Sequence, residues 1–436
     1  MKTIEDFLCR NARLYADQPA IVTPCDTITY AELWQQVSAK ARTMAALRGR
    51  AVVFRGSQTA DFLVHYFAIH LAGAVAVPLE HDVPDSRLTE LETELSHCML
   101  PADVADVLYT TGTTGRSKGV MVSHRAILAN SDNLVKALNF SHDLVFVICG
   151  PMNHIGCLSK VYPVVQCGAT LYLLEGMKDL NAFYQALDYP CAKAATFLVP
   201  ASIRMLLTFS ADRLQTYAAK LDFIETGAAP IAQTDMRQLC RLLPHSRLYN
   251  TYASTETGII ATYNFNDSHC FEGCVGTAMP HARFTVDSDR RIRCQGDTLM
   301  SGYAGNEALT ASVLTDGELL TADLGRVDAE GRLHLMGRSD DIINTGGLKV
   351  APEEVEKAAL AMGNIAECLC VAANHPVVGT VLRLLVVMRP GHELKARELT
   401  RHLRERLEAY KVPMLYEQVE AIRKTFNGKP DRKSYR

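Results

Sequence analysis

The feature that most constrains the fold of this chain is a regular alternation between short apolar strand patterns and helical patterns. It is established early, where residues 50–54 have the pattern of a strand, 59–71 that of a helix and 74–77 that of another strand. The same alternation continues to a strand pattern at 222–225. A repeated strand–helix–strand order predicts a mostly parallel sheet covered by helices.

The pattern changes after Glu256 and again after Asp340. Short segments separated by Asp-Gly, Glu-Gly and Gly-Asn turns first predict an antiparallel β region, and a compact α+β set ending in a helix at 393–409 follows. We therefore predict an α/β protein with two domains. A large N-terminal domain, residues 1–339, holds mainly parallel α/β subdomains plus a β-rich subdomain, and residues 340–436 form a small α+β C-terminal domain.

Length and composition exclude several functions. A chain of 436 residues is long enough for two or three packed units. Its 45 basic and 48 acidic residues give a formal net charge of −3, so no basic field is available for nucleic acid or an anionic membrane. The charged first ten residues lack the apolar core of a signal peptide, and the thirteen cysteines contain no C-x-x-C pair. We expect a cytoplasmic protein whose cysteines are reduced core residues.

A glycine-rich and hydroxyl-rich segment follows the short apolar strand pattern at 107–109. Residues 110–119 contain three glycines, four threonines, a serine and Lys118. Backbone N–H groups, hydroxyls and a lysine together suit a polyphosphate. The spacing is not that of a Walker A loop, because Gly112 is followed by Gly115 and the lysine precedes Gly119. A plain surface turn is the less favoured alternative.

This segment resembles the phosphate loop of the adenylate-forming superfamily, which includes acyl- and aryl-CoA synthetases, adenylation domains of peptide synthetases, and luciferases. The resemblance extends over the whole chain, because further motifs occur in the order that the family requires. They are Gly227-Ala228-Ala229-Pro230, the segment 249–258 with Tyr252, Thr255 and Glu256, Thr321-Ala322-Asp323, Gly337-Arg338-Ser339-Asp340-Asp341, the segment 344–356, and Asn427-Gly428-Lys429.

The resemblance implies that a carboxylic acid takes AMP from ATP, with pyrophosphate leaving. Since both reactants are anions, neutralising and aligning them is the main task of the site. The implied catalytic residues are Lys429, Thr255 and Glu256, and Glu256 is also the implied ligand of Mg²⁺, a hard cation that prefers oxygen. The implied ATP- and AMP-binding residues are Thr110, Thr111, Gly112, Thr113, Thr114, Gly115, Lys118, Gly227, Ala228, Ala229, Tyr252, Asp323 and Arg338.

Individual roles also follow from the resemblance. Tyr252 would stack on the adenine, Asp323 would accept from the ribose hydroxyls, and Lys429 would bridge the carboxylate and the α-phosphate. Each residue has an ordinary structural alternative. Asp323 could be a turn residue, Glu256 a helix cap, and Lys429 one of several solvated charges in the basic C-terminal tail.

The resemblance further implies a mobile C-terminal domain. Asp340 would be the hinge about which this domain rotates, withdrawing Lys429 after adenylation. Gly346 and Gly347 would then reach the site for thioester formation. A hinge followed by a Gly-Gly loop is consistent with such gating.

The substrate acid is indicated only as a class. The segment 151–157, Pro-Met-Asn-His-Ile-Gly-Cys, resembles the P-x-x-H-x-x-G pattern of acyl- and aryl-CoA ligases and lacks an aspartate for an α-ammonium group. We therefore expect an acyl or aryl acid without an α-amine. His154 and Gly227 are the expected acyl-pocket residues, although a structural role for the histidine is nearly as well supported.

The sequence also departs from the family. The phosphate loop begins near residue 108, much earlier than in typical members, so a β-α-β piece of the N-terminal subdomain is missing from the pattern. Ala253 and Ala322 replace glycines, and a Cβ at a positive-φ position would cost about 1 kcal/mol.

Three functions stay open at this point. The first is an ATP-dependent acyl- or aryl-CoA ligase acting on a small-molecule acid, with ATP and Mg²⁺ as cofactors and CoA as co-substrate. The second is a ligase that loads the phosphopantetheine thiol of a carrier protein in a biosynthetic pathway. The third is a catalytically silent nucleotide-binding homologue, which the intact Lys118, Glu256, Asp323, Arg338 and Lys429 disfavour.

Overall fold

A computed structural model describes residues 2–110, 118–345, 348–375, 379–425 and 429–435 of the chain. The described helices are, in chain order, α1 (Ile4–Leu14), α2 (Tyr30–Thr43), α3 (Ala60–Leu71), α4 (Asp85–Ser96), α5 (His124–Leu138), α6 (Ile155–Cys167), α7 (Leu180–Asp188), α8 (Pro200–Phe209), α9 (Ala211–Gln215), α10 (Gln233–Leu242), α11 (Glu307–Val313), α12 (Pro352–Leu360) and α13 (Ala396–Arg404).

The described strands are β1 (Pro19–Val22), β2 (Thr27–Thr29), β3 (Ala51–Arg55), β4 (Val75–Leu79), β5 (Val104–Thr110), β6 (Lys118–Ser123), β7 (Leu144–Ile148), β8 (Thr170–Leu173), β9 (Lys193–Phe197), β10 (Leu221–Thr226), β11 (Arg247–Ser254), β12 (Gly258–Asn264), β13 (Cys274–Ala278), β14 (Ala282–Val286), β15 (Arg291–Gly296), β16 (Gly302–Tyr303), β17 (Leu314–Thr315), β18 (Glu318–Val327), β19 (Leu333–Arg338), β20 (Ile343–Thr345), β21 (Leu348–Val350), β22 (Ile365–His375), β23 (Gly379–Met388) and β24 (Leu415–Gln418).

The chain folds into two compact units, which confirms the predicted fold class of a large α/β part and a smaller α+β part. The first unit runs to Thr285 and also contains Arg293–Leu320 and Asp328–Leu333. The second unit contains Val286–Ile292, Thr321–Val327 and the described residues from His334 onward.

A sheet through the first unit has the strand order β13-β12-β11-β10-β9-β7-β8-β1-β2. Its strands β7 to β11 pair in parallel, as the strand–helix alternation predicts. Antiparallel pairs lie on either side of them, β11 with β12 and β1 with β2. The chain order reverses between β9 and β7, which are neighbours in the sheet. In open α/β sheets the crevice at the carboxyl ends of such strands is the usual ligand site.

A second sheet of this unit has the order β16-β6-β5-β4-β3. The helix α3 between β3 and β4 is buried almost throughout, as expected of an apolar helix that links two parallel strands. The strands β5 and β6 pair antiparallel, with Thr110 opposite Lys118, so the segment between them connects the two strands of a hairpin. The short β16 adds to β6 from a distant part of the sequence.

A buried charged network lies in the first unit. His70 places Nδ1 3.0 Å from Glu5 Oε1 and Nε2 3.0 Å from Asp106 Oδ1. Tyr66 donates its hydroxyl to the other oxygen of Asp106 at 2.9 Å. Burial alone lowers the pKa of His70, but the two carboxylates outweigh it and raise that pKa to about 10. His70 is therefore a buried imidazolium between two carboxylates.

The second unit packs α12 and α13 with the sheet β22-β23-β24 and the hairpin of β20 and β21. The predicted helix at 393–409 is too long, since α13 covers only Ala396–Arg404. Before the helix, the N–H of Leu394 donates to Gln418 Oε1 at 2.8 Å. After the helix, Glu408 has an extended backbone, so neither end of the predicted range is helical. In the described part of the chain, no helix combines the length and the apolar character that crossing a membrane requires.

Candidate active site

The first part of the candidate site lies at the tip of the hairpin formed by β11 and β12. The predicted residues Thr255 and Glu256 occupy the connection between these strands, where Ser254 pairs with Gly258. Ser254 and Thr257 exchange hydrogen bonds of 3.0 Å between backbone N–H groups and hydroxyls, which closes the turn. Gly258 has φ of +65°, and a Cβ there would lie 2.5 Å from the Thr298 carbonyl oxygen. The glycine of this motif is therefore required by the turn.

A tyrosine that the sequence analysis missed joins two of the predicted residues. Tyr303 donates its hydroxyl to Glu256 Oε1 at 3.1 Å, and Lys118 Nζ lies 5.4 Å from the centre of the same ring. Burial and the Glu256 carboxylate raise the pKa of Tyr303, so its hydroxyl stays a donor. The pairing of β16 with β6 brings Tyr303 to this place, opposite Val120. The structure thus groups a cation, a phenol and a carboxylate beside the predicted phosphate loop.

The predicted glycine-rich turn follows β10 at the carboxyl edge of the parallel strands. A Cβ on Gly227 would lie 2.8 Å from the Thr251 carbonyl oxygen, so only glycine allows this close approach to β11. Ala228 has φ of +67°, whereas Ala253 and Ala322 are not among the residues with positive φ. The expected cost of about 1 kcal/mol for a Cβ at positive φ therefore does not apply to Ala253 or Ala322. It applies to Ala228, which Ala229 follows.

The predicted adenine-stacking residue Tyr252 lies in β11, where it pairs with Ala261 and is 6% exposed. Its place in the strand next to β10 puts it at the same sheet edge as Gly227. The stacking role of Tyr252 stays a prediction.

The predicted acyl-pocket residue His154 follows β7 and precedes α6. Its Nε2 lies 2.8 Å from Glu80 Oε1, and Glu80 follows β4. The histidine thus joins the ends of strands from both sheets of the unit. The contact with Glu80 supports the structural interpretation of His154, and its pocket role stays a prediction.

An aromatic side chain links the helix after His154 to the glycine-rich turn. A Cβ on Gly156 would lie 3.5 Å, and a Cβ on Gly227 3.7 Å, from ring atoms of Phe197, the last residue of β9. The ammonium of Lys160 lies 5.0 Å from the centre of this ring. Phe197 therefore lies near Gly227, a predicted acyl-pocket residue, and near Gly156, two positions after His154. Sequence reasoning missed it because nothing in its apolar strand distinguishes it from the core.

A buried ion pair lies beside Phe197. Lys160 Nζ donates to Glu225 Oε1 at 2.7 Å, and the side chains are 3% and 0% exposed. Glu225 Oε2 and the hydroxyl of the adjacent Thr226 are buried without a hydrogen-bond partner. This pair ties α6 to the end of β10, two residues before Gly227.

The second unit brings together three predicted residues of two distant motifs. Arg338 donates to Asp323 Oδ1 at 2.8 Å, and it makes two bonds of 2.9 Å to the oxygens of Asp340. Ser339 N donates to the Ala322 carbonyl oxygen at 2.7 Å, which holds the two motifs in register. Burial lowers the pKa of Arg338, but Asp340 and Asp323 outweigh it and raise that pKa. Arg338 therefore joins Asp323, the predicted ribose acceptor, to Asp340, the predicted hinge residue.

Lys429 lies near the end of the chain and is exposed. Its carbonyl oxygen accepts from Thr425 N at 2.7 Å, and Lys424 pairs with Pro430 as an antiparallel bridge. The backbone of Lys429 and Pro430 is therefore paired with that of Lys424 and Thr425, and Lys429 is exposed on the second unit.

Several predicted residues lie outside the described residues. They are the phosphate-loop residues Thr111, Gly112, Thr113, Thr114 and Gly115, and the thiol-step residues Gly346 and Gly347. The residues on both sides of the phosphate loop, Thr110 and Lys118, are described and face each other across the hairpin.

These observations define an α/β nucleotide-binding class of protein, since a glycine turn and a carboxylate follow two neighbouring parallel strands, and a lysine lies beside the same tyrosine as the carboxylate. Residues 8–94 and 92–304 match the family AMP-binding enzyme, and residues 354–429 match the AMP-binding enzyme C-terminal domain. The chain belongs to this family, which confirms the predicted superfamily. The two matched pieces of the first domain meet in α4, where the sequence predicts a shortened subdomain.

The relatives carry names of acid–CoA ligases. Indoleacetate–CoA ligase of Aromatoleum aromaticum is 30% identical over 337 residues, covering 74% of this chain and 65% of the relative. Feruloyl-CoA synthase of an Amycolatopsis species is 26% identical over 480 residues, covering 96% of both. The crystal structure of ATP-bound MatB from Rhodopseudomonas palustris has a TM-score of 0.85 at 25% identity, covering 100% of this chain and 99% of MatB. The chain thus spans just under two thirds of the first relative and nearly all of the other two.

Proposed function

We propose that this protein is an AMP-forming acid–thiol ligase. In the first half-reaction, a carboxylate oxygen attacks the α-phosphorus of ATP, pyrophosphate leaves, and an acyl-AMP forms. In the second, a thiol attacks the acyl carbon, its proton is lost, AMP leaves, and a thioester forms. The names of the relatives and the match of both family domains support this proposal.

The observation that carries the proposal is the grouping of Lys118, Tyr303 and Glu256. Lys118 stands at the end of the predicted phosphate loop, and its charge would offset part of the charge of the polyphosphate. Tyr303 holds Glu256 by a hydrogen bond and presents its ring to Lys118, so both charged groups are held near one place. Fixed charges of this kind act where charge develops in the transition state without having to reorganise.

We assign Mg²⁺ to Glu256. Its carboxylate lies at a hairpin tip in a partly exposed residue and accepts a hydrogen bond from Tyr303. Oxygen donors of this type fit a hard cation that shares its coordination with phosphate oxygens. When bound, the ion would neutralise charge on the leaving pyrophosphate.

Other residues would bind or position the nucleotide. Thr255 would donate to the α-phosphate, and Tyr252 would stack on the adenine beside the turn at Gly227. Asp323 would accept from the ribose hydroxyls and Arg338 would support it, in line with their 2.8 Å bond. Lys429 would bridge the substrate carboxylate and the α-phosphate during AMP transfer.

We propose residues 340–436 as a lid domain with its hinge at Asp340. Adenylation would use the lid with Lys429 directed to the reactants, and thioester formation would use the side that carries Gly346 and Gly347. The bidentate bond between Arg338 and Asp340 is a contact that such a rotation would have to change.

The substrate is proposed to be an acyl or aryl acid without an α-amine, and the acceptor thiol that of CoA. Phe197, set against Gly156 and Gly227, offers an aromatic surface for such a group. The relatives named for indoleacetate and ferulate act on aryl acids with CoA, which favours the same class here. A carrier-protein phosphopantetheine thiol is the alternative acceptor.

Acid-dependent ATP–pyrophosphate exchange tests the proposal. We expect exchange with some members of a panel of fatty, aryl and amino acids, and thioester formation after CoA is added. Lys429→Ala should lower the exchange to a small residual rate, while Lys395→Ala, a lysine exposed at the start of α13, should keep it. Exchange with none of the acids would favour the silent homologue, and release of AMP only with a holo carrier protein would favour the alternative acceptor.

A further inference from the structure

An arginine close to Lys429 is anchored in the interior of the second unit. Arg432 donates Nη2 to Glu356 Oε2 at 2.9 Å and Nη1 to Oε1 of the same carboxylate. The same Nη1 donates to the Cys370 carbonyl oxygen at 2.8 Å. The side chains of Arg432 and Glu356 are only 12% and 14% exposed. A bidentate arginine–carboxylate pair combines bond strength with a fixed geometry.

The carboxylate that receives Arg432 is itself held. Glu356 lies in α12, and its Oε1 accepts from the N–H of Cys370 in β22 at 2.6 Å. Arg432 therefore bonds to a helix and a strand of the second unit at once. The segment at Arg432 is therefore fixed to the packed part of the second unit.

The same guanidinium also reaches the hinge motif. Arg432 Nε lies 3.6 Å from Asp341 Oδ2, and Asp341 follows the proposed hinge residue Asp340. One arginine thus joins the segment of Lys429 to the segment about which the lid is proposed to turn.

Arg432 lies three positions after Lys429, and the backbone of this segment is bonded to the preceding residues Arg423 and Thr425. Thr425 N donates to the Lys429 carbonyl oxygen, and Asp431 N donates to the Arg423 carbonyl oxygen at 2.8 Å. Lys429 is therefore held through its own carbonyl group by Thr425, and the residues that follow it are held by Arg423 and by the side chain of Arg432. The lysine side chain is long and flexible, so its reach depends on where the backbone of Lys429 is held.

We propose that Arg432 is a positioning residue for Lys429, acting through Glu356 and the Cys370 carbonyl group. This inference rests on the proposed role of Lys429 in adenylation. Since a displacement of about 1 Å can lower the rate of an aligned reaction by about a hundredfold, a loosened Lys429 backbone should slow AMP transfer. It should leave thioester formation from acyl-AMP unaffected, because Lys429 is not assigned to that step.

The test compares the two half-reactions in Arg432→Lys and Arg432→Met. Exchange measures the first half, and CoA-dependent consumption of a synthetic acyl-adenylate measures the second. We expect kcat for exchange to fall about tenfold to a hundredfold with KM for ATP nearly unchanged, and the second half-reaction to stay within about threefold. The lysine variant keeps the charge but not the fork, so it should recover only part of the rate. Arg404→Met, an exposed arginine of α13, is the matched control and should behave like the wild type.

A second comparison separates positioning from mere stabilisation of the tail. In a Lys429→Ala background, Arg432→Met should cause no further loss of exchange, because the residue it positions is gone. Wild-type exchange in both Arg432 variants would overturn the inference, and so would equal losses in both half-reactions. An additive loss in the double variant would overturn it too. Absence of exchange in the wild-type protein would instead count against the proposed function itself.

Discussion

The hydroxyl of Tyr303 donates to Glu256 Oε1 at 3.1 Å, although 46 residues lie between these two in the chain. The contact exists because β16 pairs with β6 and because Met300 N donates to the Glu256 carbonyl oxygen at 2.8 Å. The carboxylate assigned to Mg²⁺ is thus oriented by a side chain that also faces Lys118.

Replacing Tyr303 by Phe should weaken adenylation without unfolding the protein. The ring facing Lys118 is kept, but the hydrogen bond to a charged carboxylate is lost, which corresponds to about 1.5–3 kcal/mol. We expect the exchange rate to fall about tenfold or more and the Mg²⁺ concentration for half-maximal rate to rise. Tyr303→Leu, which also removes the ring, should be slower still. Unchanged Mg²⁺ dependence in the Phe variant would contradict the orienting role.

How much of this could be predicted from the sequence depends on the range of the interaction. The fold class and the family could be predicted because short stretches of sequence carry them, namely the strand–helix alternation and the motifs. The structure confirms the fold class, and the family matches confirm the family. Asp323 and Arg338 both belong to recognised motifs. Their 2.8 Å hydrogen bond follows once the adjacent strands β18 and β19 are formed. Tyr303 and Phe197 could not be recognised, since their roles arise from strand pairing and packing between distant segments.

The basic tail shows the same limit. In the sequence, Arg432 is one of several charges near Lys429, and such a run usually lies in solvent. In the structure Arg432 is 12% exposed and bonded to Glu356, which lies 76 positions earlier. Which member of a charge run is buried depends on a partner that the run does not contain.

The charge on His70 should stabilise the protein in a way that depends on pH. Because the folded pKa of about 10 lies above the ordinary value of 6.5, this stabilisation is complete below about pH 6.5 and is lost as the pH rises through 10. His70→Gln removes the charge and leaves Glu5 and Asp106 without their cation, so it should cost about 3–5 kcal/mol at pH 7.

Urea unfolding of both proteins at pH 7, 8.5 and 10 measures this difference. The free energy of unfolding of the wild type should approach that of His70→Gln as the pH increases. A difference that is the same at all three values would mean that His70 is not charged in the folded protein.

The carboxyl group of Glu353 should have the opposite effect at neutral pH. Burial raises the pKa of Glu353 to about 7, with Glu356 adding to the effect and Arg432 opposing it. A raised carboxyl pKa gives stability that is present below the ordinary value of 4.5 and is lost as the pH rises through 7. Glu353→Gln should therefore be more stable than the wild type at pH 8.5, by about 1–2 kcal/mol, and equal to it near pH 4.5. If the free energies of unfolding of the two proteins differed by the same amount at every pH from 4.5 to 8.5, Glu353 would not have a raised pKa in the folded protein.

The buried pair of Lys160 and Glu225 allows a prediction about both stability and substrate choice. Lys160→Met leaves the Glu225 carboxylate buried without its cation and should cost about 3–5 kcal/mol. Adding Glu225→Gln removes the unpaired charge, so the double variant should recover most of the loss. Unfolding in urea measures both values.

The same double variant tests whether the pair takes part in acid selection. Lys160 lies over Phe197, which lies against the turn at Gly227, so a change at this pair should alter the shape and polarity behind the proposed acyl pocket. We expect the double variant to keep the KM for ATP within about twofold. The ratios of kcat/KM between acids of the panel should change by about tenfold or more, enough to alter their order, because buried polar groups lose or gain a partner. An unchanged order of acids, in a double variant of restored stability, would assign the pair to the fold alone.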